Sequence, residues 1–494
     1  MGVEGLEDAD ALVKPRLEKL SRLRNLGIEP YPEGFARTHT CSQALAEHQD
    51  GQDGSKVLRL AGRMVRLNRM GKSSFAHIRD GSGAIQLYLQ ADRLGEESYG
   101  RFLDLFDLGD FVGAEGALFT TRTGEVTLRV NAYWMLSKSL RPLPEKFHGL
   151  TDPETRYRQR YLDLIANEDV RRTFQTRAAV VGAIRRFLDD RGYIEVETPI
   201  LQPAYGGASA RPFITHYNVL DRDYYLRIAD ELYLKRLLVG GYEKVYEFCK
   251  DFRNEGIDRT HIPEFTMMEC YEAYADYKTI MDLTESMVFH AAQAVAAFGP
   301  AENEDGCIDF TPPWERITFR DATLRETGID IEEYADGEGL ACGAKELGLK
   351  CDASLGKGHV LDQILEKLVT PKIVAPTFIC DYPVETSPLA KRLKHDQRYV
   401  GRFEAMAAGM KFANAFSELN DPLEQRRRFE DQAKRREWGD EEAQVLDEDF
   451  LAALEHGMPP AGGLGIGIDR LVMLLTGRRN IREVILFPQL RSKA

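Results

Sequence analysis

Charged and aromatic side chains recur at fixed spacing on short apolar segments in the C-terminal two-thirds of the chain. YEKVYEFCKDFRNEG and PEFTMMECYEAY read as two strands joined by a polar loop, Gly256 to Pro263. Side chains alternate between the faces of a strand, so Phe265, Glu269 and Tyr271 share one face of the second. Arg253 and Glu255 stand where the first strand enters the loop, and His261 lies within it. Further on, NAFSELND sets Asn414, Phe416 and Glu418 on one face of another strand. Acidic residues on strands that are otherwise apolar mark either a solvated sheet edge or a pocket, and the pattern leaves both open. Arginine bears on the choice of chemistry, because its guanidinium fork holds an oxyanion in two places.

A second arginine, Arg470, follows the glycine-rich stretch of GGLGIGIDRLVMLLTG. The spacing of these glycines does not fit G-x-G-x-x-G, and the chain is too close to its end for the βα unit that a dinucleotide loop requires. A tight glycine strand running into a helix led by Arg470 and capped by Gly477 is the reading that remains.

The elements around these residues divide the chain. Its 494 residues exceed one core and fit two or three domains. Leu12, Leu17, Leu20 and Leu23 line one side of a helix that Pro30 and Pro32 end, in an N-terminal helical extension over 1–55. Residues 56–140 read as β: VLRLAGRMVRL, SFAHIRD, AIQLYLQ, DFVGAEGALF and EVTLRV are short apolar segments separated by glycine turns, the pattern of a small barrel of the OB type. Arg141-Pro142-Leu143-Pro144 opens a stiff linker over 141–155. The chain then becomes α/β over 156–494. A helix over 171–191 is closed by Gly192, a strand IEVETP stops at Pro199, and an insertion occupies about 300–370.

From Lys56 to Arg79 there are seven Lys or Arg and no Asp or Glu, a local basic surface in a protein of net charge −14. Phe75 and Tyr88 interleave with it. That surface is either a solvated strand face, with Phe75 a core aromatic, or a face that stacks single-stranded bases. The start of the chain is acidic and without an apolar stretch, so no signal peptide is expected. No run of about 18 uncharged apolar residues is present, which argues against a membrane span. The cysteines at 41, 249, 270, 307, 342, 351 and 380 form no CxxC pair and suit a reducing cytosol, which makes a thiolate zinc site unexpected.

Three segments in order, GYIEVETPIL, FRNEGIDRTHIPEFTMMECY and GLGIGIDRLVMLLTG, resemble the three signature motifs of class II aminoacyl-tRNA synthetases. PLPEKFHGLTDPETRYRQRYLDL, RPFITHYN, ELYLKRLLVGG and FSELNDP narrow the resemblance to the lysyl members of subclass IIb, over nearly the whole chain. The resemblance implies an α+β fold, an N-terminal OB-fold β-barrel followed by a class II antiparallel sheet flanked by helices. It implies a cytoplasmic homodimer that joins L-lysine to ATP and then to tRNA(Lys), with Mg²⁺ on the triphosphate.

Residue roles carry over from the motifs. Arg253 would hold the α-phosphate and the amino-acid carboxylate, Glu255 the adenine amino group, His261 the outer phosphates and Arg470 the γ-phosphate, with Phe265 stacked on adenine. For lysine, Glu231 would take the α-amino group, with backbone room left by Gly207. Glu418 and Tyr271 would take the side-chain ammonium. Glu269 and Asn414 would complete the set, with Phe416 along the aliphatic stem. In the barrel, Phe75 and Gln86 would read the central anticodon base, joined by Arg63 and Glu125. One departure stands out: the first of two family metal-binding glutamates is Glu404, but the second position is Lys411, and a charged lysine cannot ligate Mg²⁺. Two other functions fit less of the sequence: a paralogue that lysylates a protein, and a regulator that kept the fold and binds tRNA with weakened catalysis.

Overall fold

The computed structural model describes residues 11–48, 56–144, 150–298, 308–437 and 445–491. Parts of the N-terminal extension (1–10 and 49–55), of the linker (145–149) and of the insertion (299–307, with Cys307) lie outside the described residues. Two compact units result, Met1–Leu150 and Thr151–Ala494.

In the first unit, five strands close into a barrel: β1 (Val57–Met70), β2 (Ser73–Arg79), β3 (Ala84–Gln90), β4 (Phe111–Thr120) and β5 (Val126–Ser137), in the order β1-β2-β3-β5-β4. Period-two alternation, interrupted by bulges, builds it. Leu58, Leu60, Met64, Ala76, Ile78, Leu87, Leu89, Val112, Ala114, Leu128 and Val130 fill the interior, while Phe75, His77 and Tyr88 fall on the outer side. An irregularity in β1 between Met64 and Arg66 lets this long strand pair with both β2 and β4. The N-terminal helix is shorter than its leucine spacing predicts. It runs Lys14–Asn25 with a proline in its first turn, so Leu12 lies outside it and is 57% exposed, and only Leu20 and Leu23 of the expected stripe are buried.

In the second unit, β6 (Ile194–Glu195), β10 (Lys244–Phe252), β11 (Glu264–Ala273), β12 (Glu315–Thr318), β13 (Thr377–Pro383), β14 (Tyr399–Ala407), β15 (Met410–Ser417) and β16 (Ala461–Gly467) form one sheet in the order β12-β13-β14-β15-β16-β11-β10-β6. The outer pairs β6–β10 and β12–β13 are parallel and the rest antiparallel. The expected IEVETP strand contracts to Ile194–Glu195. After it, β7 (Leu201–Gln202), β8 (Ile214–Tyr217) and β9 (Arg222–Leu226) make a small separate sheet. One face of the large sheet presents Met268, Cys270, Phe403, Ala405, Ala413, Ala415, Leu464 and Ile466 to the helices Glu168–Asp189, Tyr277–Val295 and Ile468–Thr476. The intervening residues necessarily face the other way. The insertion supplies three helices, Phe319–Thr327, Gly337–Glu346 and Lys357–Ile364, with a core of their own.

A buried carboxylate pins the sheet to its helices. Asp469, in the first turn of the helix Ile468–Thr476, accepts the Thr266 backbone N–H at 2.7 Å and pairs with Arg177 at 2.6 Å. Arg177 in turn donates to the Thr266 hydroxyl at 2.9 Å. Replacing Asp469 by alanine strands a largely buried guanidinium and an amide, so Asp469→Ala is expected to lower unfolding stability by about 3 kcal/mol, measured as the shift of the urea midpoint at constant slope.

Candidate functional site

On the face opposite the helices lies a cavity of about 760 Å³. Register explains its lining. Glu269 pairs with Gly465, which pairs with Asn414, and Asn414 pairs with Glu404. One step along, Tyr271 pairs with Gly463, which pairs with Phe416, which pairs with Arg402. Two rows of functional side chains therefore run across β11, β16, β15 and β14, and the glycine strand is the floor between them. A Cβ on Gly463 would stand 2.1 Å from Glu418 Oε1 and 2.4 Å from the Tyr271 ring, so no other residue fits there. Gly207, at φ +84°, brings the backbone close to Glu231: a Cβ would lie 3.2 Å from that residue's own.

Of the residues expected to share a site, Gly207, Glu231, Arg253, Glu255, His261, Phe265, Glu269, Tyr271, Glu404, Lys411, Asn414, Phe416 and Arg470 all line this cavity. The solvated-edge alternative for the two strand faces is thereby excluded. Glu418 differs: it sits behind Gly463, 1% exposed, rather than on the lining.

The two ends of the cavity differ in charge. At one end, Arg470 Nη2 and His261 Nε2 lie 2.8 Å apart, and His261 Nδ1 meets Asp258 at 2.8 Å. Arg470 also donates to the Lys411 carbonyl at 3.0 Å. Burial and the nearby Arg253 charge lower its pKa, against the opposing charges of Asp258, Glu404 and Glu366. Arg253 has its guanidinium 5.0 Å from the centre of the Phe265 ring.

The other end is acidic. Tyr271 donates to Glu269 at 2.8 Å. Both carboxylate oxygens of Asp230 lack a hydrogen-bond donor, unless a proton is shared with Glu269 beside it. Burial, then the charges of Asp251 and Glu247, push the Asp230 carboxyl up to about 8, and burial with the Asp230 charge raises Glu269 as well. Glu247 is paired with Arg227 at 2.7 Å. Asp230, Cys249 and Asp251 bring ligand-type atoms within 4.8 Å of one another, a cluster that pattern reading did not pick out.

Sequence reading also missed Lys235 and Arg402. Lys235 is fully buried, with Nζ 2.5 Å from both Glu231 Oε1 and Glu418 Oε2. Its i,i+4 spacing from Glu231 on one helix is the signal that was available. Arg402 donates to Asn414 Oδ1 at 2.9 Å and to Glu404 Oε1 at 2.7 Å, and Lys411 Nζ reaches the same Glu404 oxygen at 2.9 Å. Burial alone would raise the Glu404 carboxyl. The Lys411 and Arg402 charges hold it below its ordinary value.

A family model of tRNA synthetases class II (D, K and N) matches residues 152–491. The chain belongs to the class II tRNA synthetases. A second model, of the OB-fold nucleic acid binding domain, matches 58–136. The chain is similar to the lysine–tRNA ligases of Carboxydothermus hydrogenoformans (52% identical, covering 99% of each chain), Moorella thermoacetica (52%, 99% of each) and Roseiflexus castenholzii (53%, 98% of this chain and all of the relative).

The outer face of the barrel carries the residues expected to read the anticodon. Phe75 stacks on Tyr88 with ring centres 4.7 Å apart, and Tyr88 meets Phe119 at 5.8 Å. Phe75 is half-buried on the outer face and is not a core aromatic. Gln86 donates to Glu125 at 2.8 Å and accepts from the Thr127 hydroxyl at 2.8 Å. Arg63 is committed elsewhere on the barrel: it donates to the Gly109 carbonyl at 2.9 Å and covers the Phe111 ring at 4.2 Å.

The raised Asp230 carboxyl has a consequence for stability. Without ligand it stays protonated in the folded chain up to about pH 8 but ionises near pH 4 when unfolded. The folded state therefore binds more protons across that window, and its stability falls as pH rises through it. Thermal unfolding of the ligand-free protein is expected to show a melting temperature declining from pH 5 to pH 8, with a shallower decline in Asp230→Asn.

Proposed function

We infer that this chain activates L-lysine with ATP as lysyl-adenylate and transfers the lysyl group to the 3′ end of tRNA(Lys). The observation that carries this reading is the two-ended cavity. Carboxylates gather at one end and guanidinium and imidazole groups at the other, in a chain 52% identical to lysine–tRNA ligases over almost its full length.

Lysine brings two ammonium groups and one carboxylate. Glu231, beside Gly207, takes the α-amino group; Tyr271, Glu269, Asn414 and Glu418 form the acidic end for the side chain, and Phe416 flanks its stem. A buried carboxylate left without its cation costs about 3–5 kcal/mol, so neutral analogues are rejected. Arg253 holds the amino-acid carboxylate against the α-phosphate, with adenine between Phe265 and Glu255, and His261 and Arg470 hold the outer phosphates. A carboxylate oxygen then attacks the α-phosphorus in line and the bond to pyrophosphate breaks. No covalent intermediate on the protein is needed, because positioning and fixed positive charge lower the barrier. A terminal ribose hydroxyl of tRNA next attacks the acyl carbon, and AMP leaves.

The resemblance also implies Mg²⁺ on the triphosphate. At Glu404 and Lys411 the residues do not fit a magnesium pair: Glu404 Oε1 already takes two cationic donors, at 2.7 and 2.9 Å, and an ammonium has no lone pair for a metal. Lys411 instead supplies fixed positive charge near the phosphates. Half-saturating Mg²⁺ in pyrophosphate exchange is accordingly expected to differ between wild type and Lys411→Glu, and identical magnesium curves would sink this assignment.

The Phe75–Tyr88 stack and Gln86 with Glu125 support an anticodon-reading face, and Arg63 is left out of it. Stacking on an aromatic is worth about 1–3 kcal/mol per base, so Phe75→Ala is expected to raise the KM for tRNA roughly tenfold while leaving lysine-dependent pyrophosphate exchange unchanged. Exposed Ile200, Leu201 and Ile214 around the Pro199 segment support a C2 homodimer. Unpaired cysteines at 41, 249, 270, 342, 351 and 380 support a cytoplasmic location. No described helix is long and apolar enough to cross a membrane. The protein-lysylating paralogue is disfavoured by the barrel, and the inactive regulator by the phosphate-end cations. The deciding experiment is pyrophosphate exchange against a panel of amino acids, followed by charging of tRNA. Lysine is expected to lead the panel by orders of magnitude, and a better substrate among the others would overturn the reading.

A further inference from the structure

We propose that Lys235 is a positioning and specificity-determining residue for lysine: its ammonium ties one oxygen of Glu231 to one oxygen of Glu418 and so fixes the acidic end that reads the substrate amine. The inference rests on the reading of this cavity as a lysine pocket.

Lys235 lies on the helix Glu231–Val239, and Glu418 just past the end of β15, so nothing local holds the two glutamates together. Nζ meets Glu231 Oε1 and Glu418 Oε2 at 2.5 Å each, and lies 5.3 Å from the centre of the Phe416 ring. The contact to Glu418 is an ion pair rather than an aligned hydrogen bond, because neither Glu418 oxygen has a hydrogen-bond partner of good geometry. The side chain has no exposure at all. A buried lysine needs a reason, since an apolar side chain of the same length would pack a helix as well or better.

The arrangement gives one. Each glutamate spends a single oxygen on Lys235 and keeps the other. Glu231 lines the cavity directly, while Glu418 Oε1 sits against Gly463 and Tyr271, the cavity floor and wall. Without the bridging cation, two buried carboxylates would repel and take up protons, and a protonated carboxyl does not attract an ammonium. Burial raises both carboxyls, Glu418 to about 8, and the Lys235 charge opposes that rise. Lys235 also sets the spacing between the two groups, without touching the reacting atoms.

The test is lysine-dependent pyrophosphate exchange in Lys235→Met, which keeps length and loses charge. The KM for lysine is expected to rise at least about tenfold, while the KM for ATP stays within about twofold and kcat changes less than the lysine KM. In Lys235→Ala, methylammonium in solution fills the vacated position and lowers the lysine KM again. Should Lys235→Met not fold, Lys235→Gln, which keeps a polar group of similar length and loses the charge, is judged by the same comparison of KM values. A lysine KM unchanged in these variants, one that rises in step with the KM for ATP, or one in Lys235→Ala that methylammonium leaves unmoved overturns the role of Lys235. Absence of lysine-dependent exchange in the wild type would instead overturn the lysine reading itself.

Discussion

The synthetase unit is organised around a charge imbalance that its own residues only partly relieve. Asp230, Glu231, Glu247, Asp251, Glu269 and Glu418 are all buried near one face of the sheet, with Arg227, Lys235 and Arg253 as the cations among them. Burying carboxylates is costly unless each finds a cation or a proton. Arg227 satisfies Glu247 at 2.7 Å, and Lys235 serves Glu231 and Glu418 together. Asp230 and Glu269 are left to share a proton, and burial and mutual repulsion raise both. Under the proposed reading, a ligand that brings ammonium groups to Glu231 and Glu269 on the cavity wall relieves part of this imbalance.

That imbalance can be held only on a rigid support, which the central strands provide. The face with Met268, Cys270, Leu464 and Ile466 is clamped by three helices, so the opposite face, one residue out of phase, is held with the same precision. The glycines of β16 belong to this device. They are needed because Glu418 and Tyr271 come within contact of the backbone at Gly463 on one side, while Ile280 crowds Gly462 on the other. The strand is rich in glycine because both of its faces are occupied, which is a different reason from the phosphate-cradling one that glycine-rich motifs usually suggest.

How much of this was legible follows from the range of each signal. Period-two alternation is local, so the barrel strands, β10, β11 and the face shared by Glu269 and Tyr271 could be read directly. Pattern alone could not separate a solvated edge from a pocket, because that depends on what packs across the sheet. The bridge from Lys235 to Glu418 and the clamp from Arg177 to Asp469 join residues far apart in the chain and leave no periodic trace. The short N-terminal helix was misjudged for another reason: leucine spacing continues through Leu12, but the helix begins only at Lys14, with Pro15 in its first turn.

Lys411 shows how a local irregularity redirects chemistry. Counting back by twos from Asn414, alternation would put Phe412 on the cavity side of β15 and turn Lys411 away. The register between β14 and β15 shifts between Ala405 and Met406, so that Met406 pairs with Lys411 while Glu404 still pairs with Asn414. The extra residue lets Phe412 join the core, and the Lys411 ammonium comes to Glu404. Glu404, Arg402 and Lys411 then form a cluster with more positive than negative charge, on the same side of the cavity as Arg470, whose side chain reaches the Lys411 carbonyl. Under the proposed reading, positive charge at one end and buried carboxylates at the other orient a substrate that carries ammonium groups and must meet a triphosphate. Under the proposed reading, a charged side chain fixed by a bulge does at Lys411 what a diffusible ion would otherwise do, and it is in place before ATP arrives.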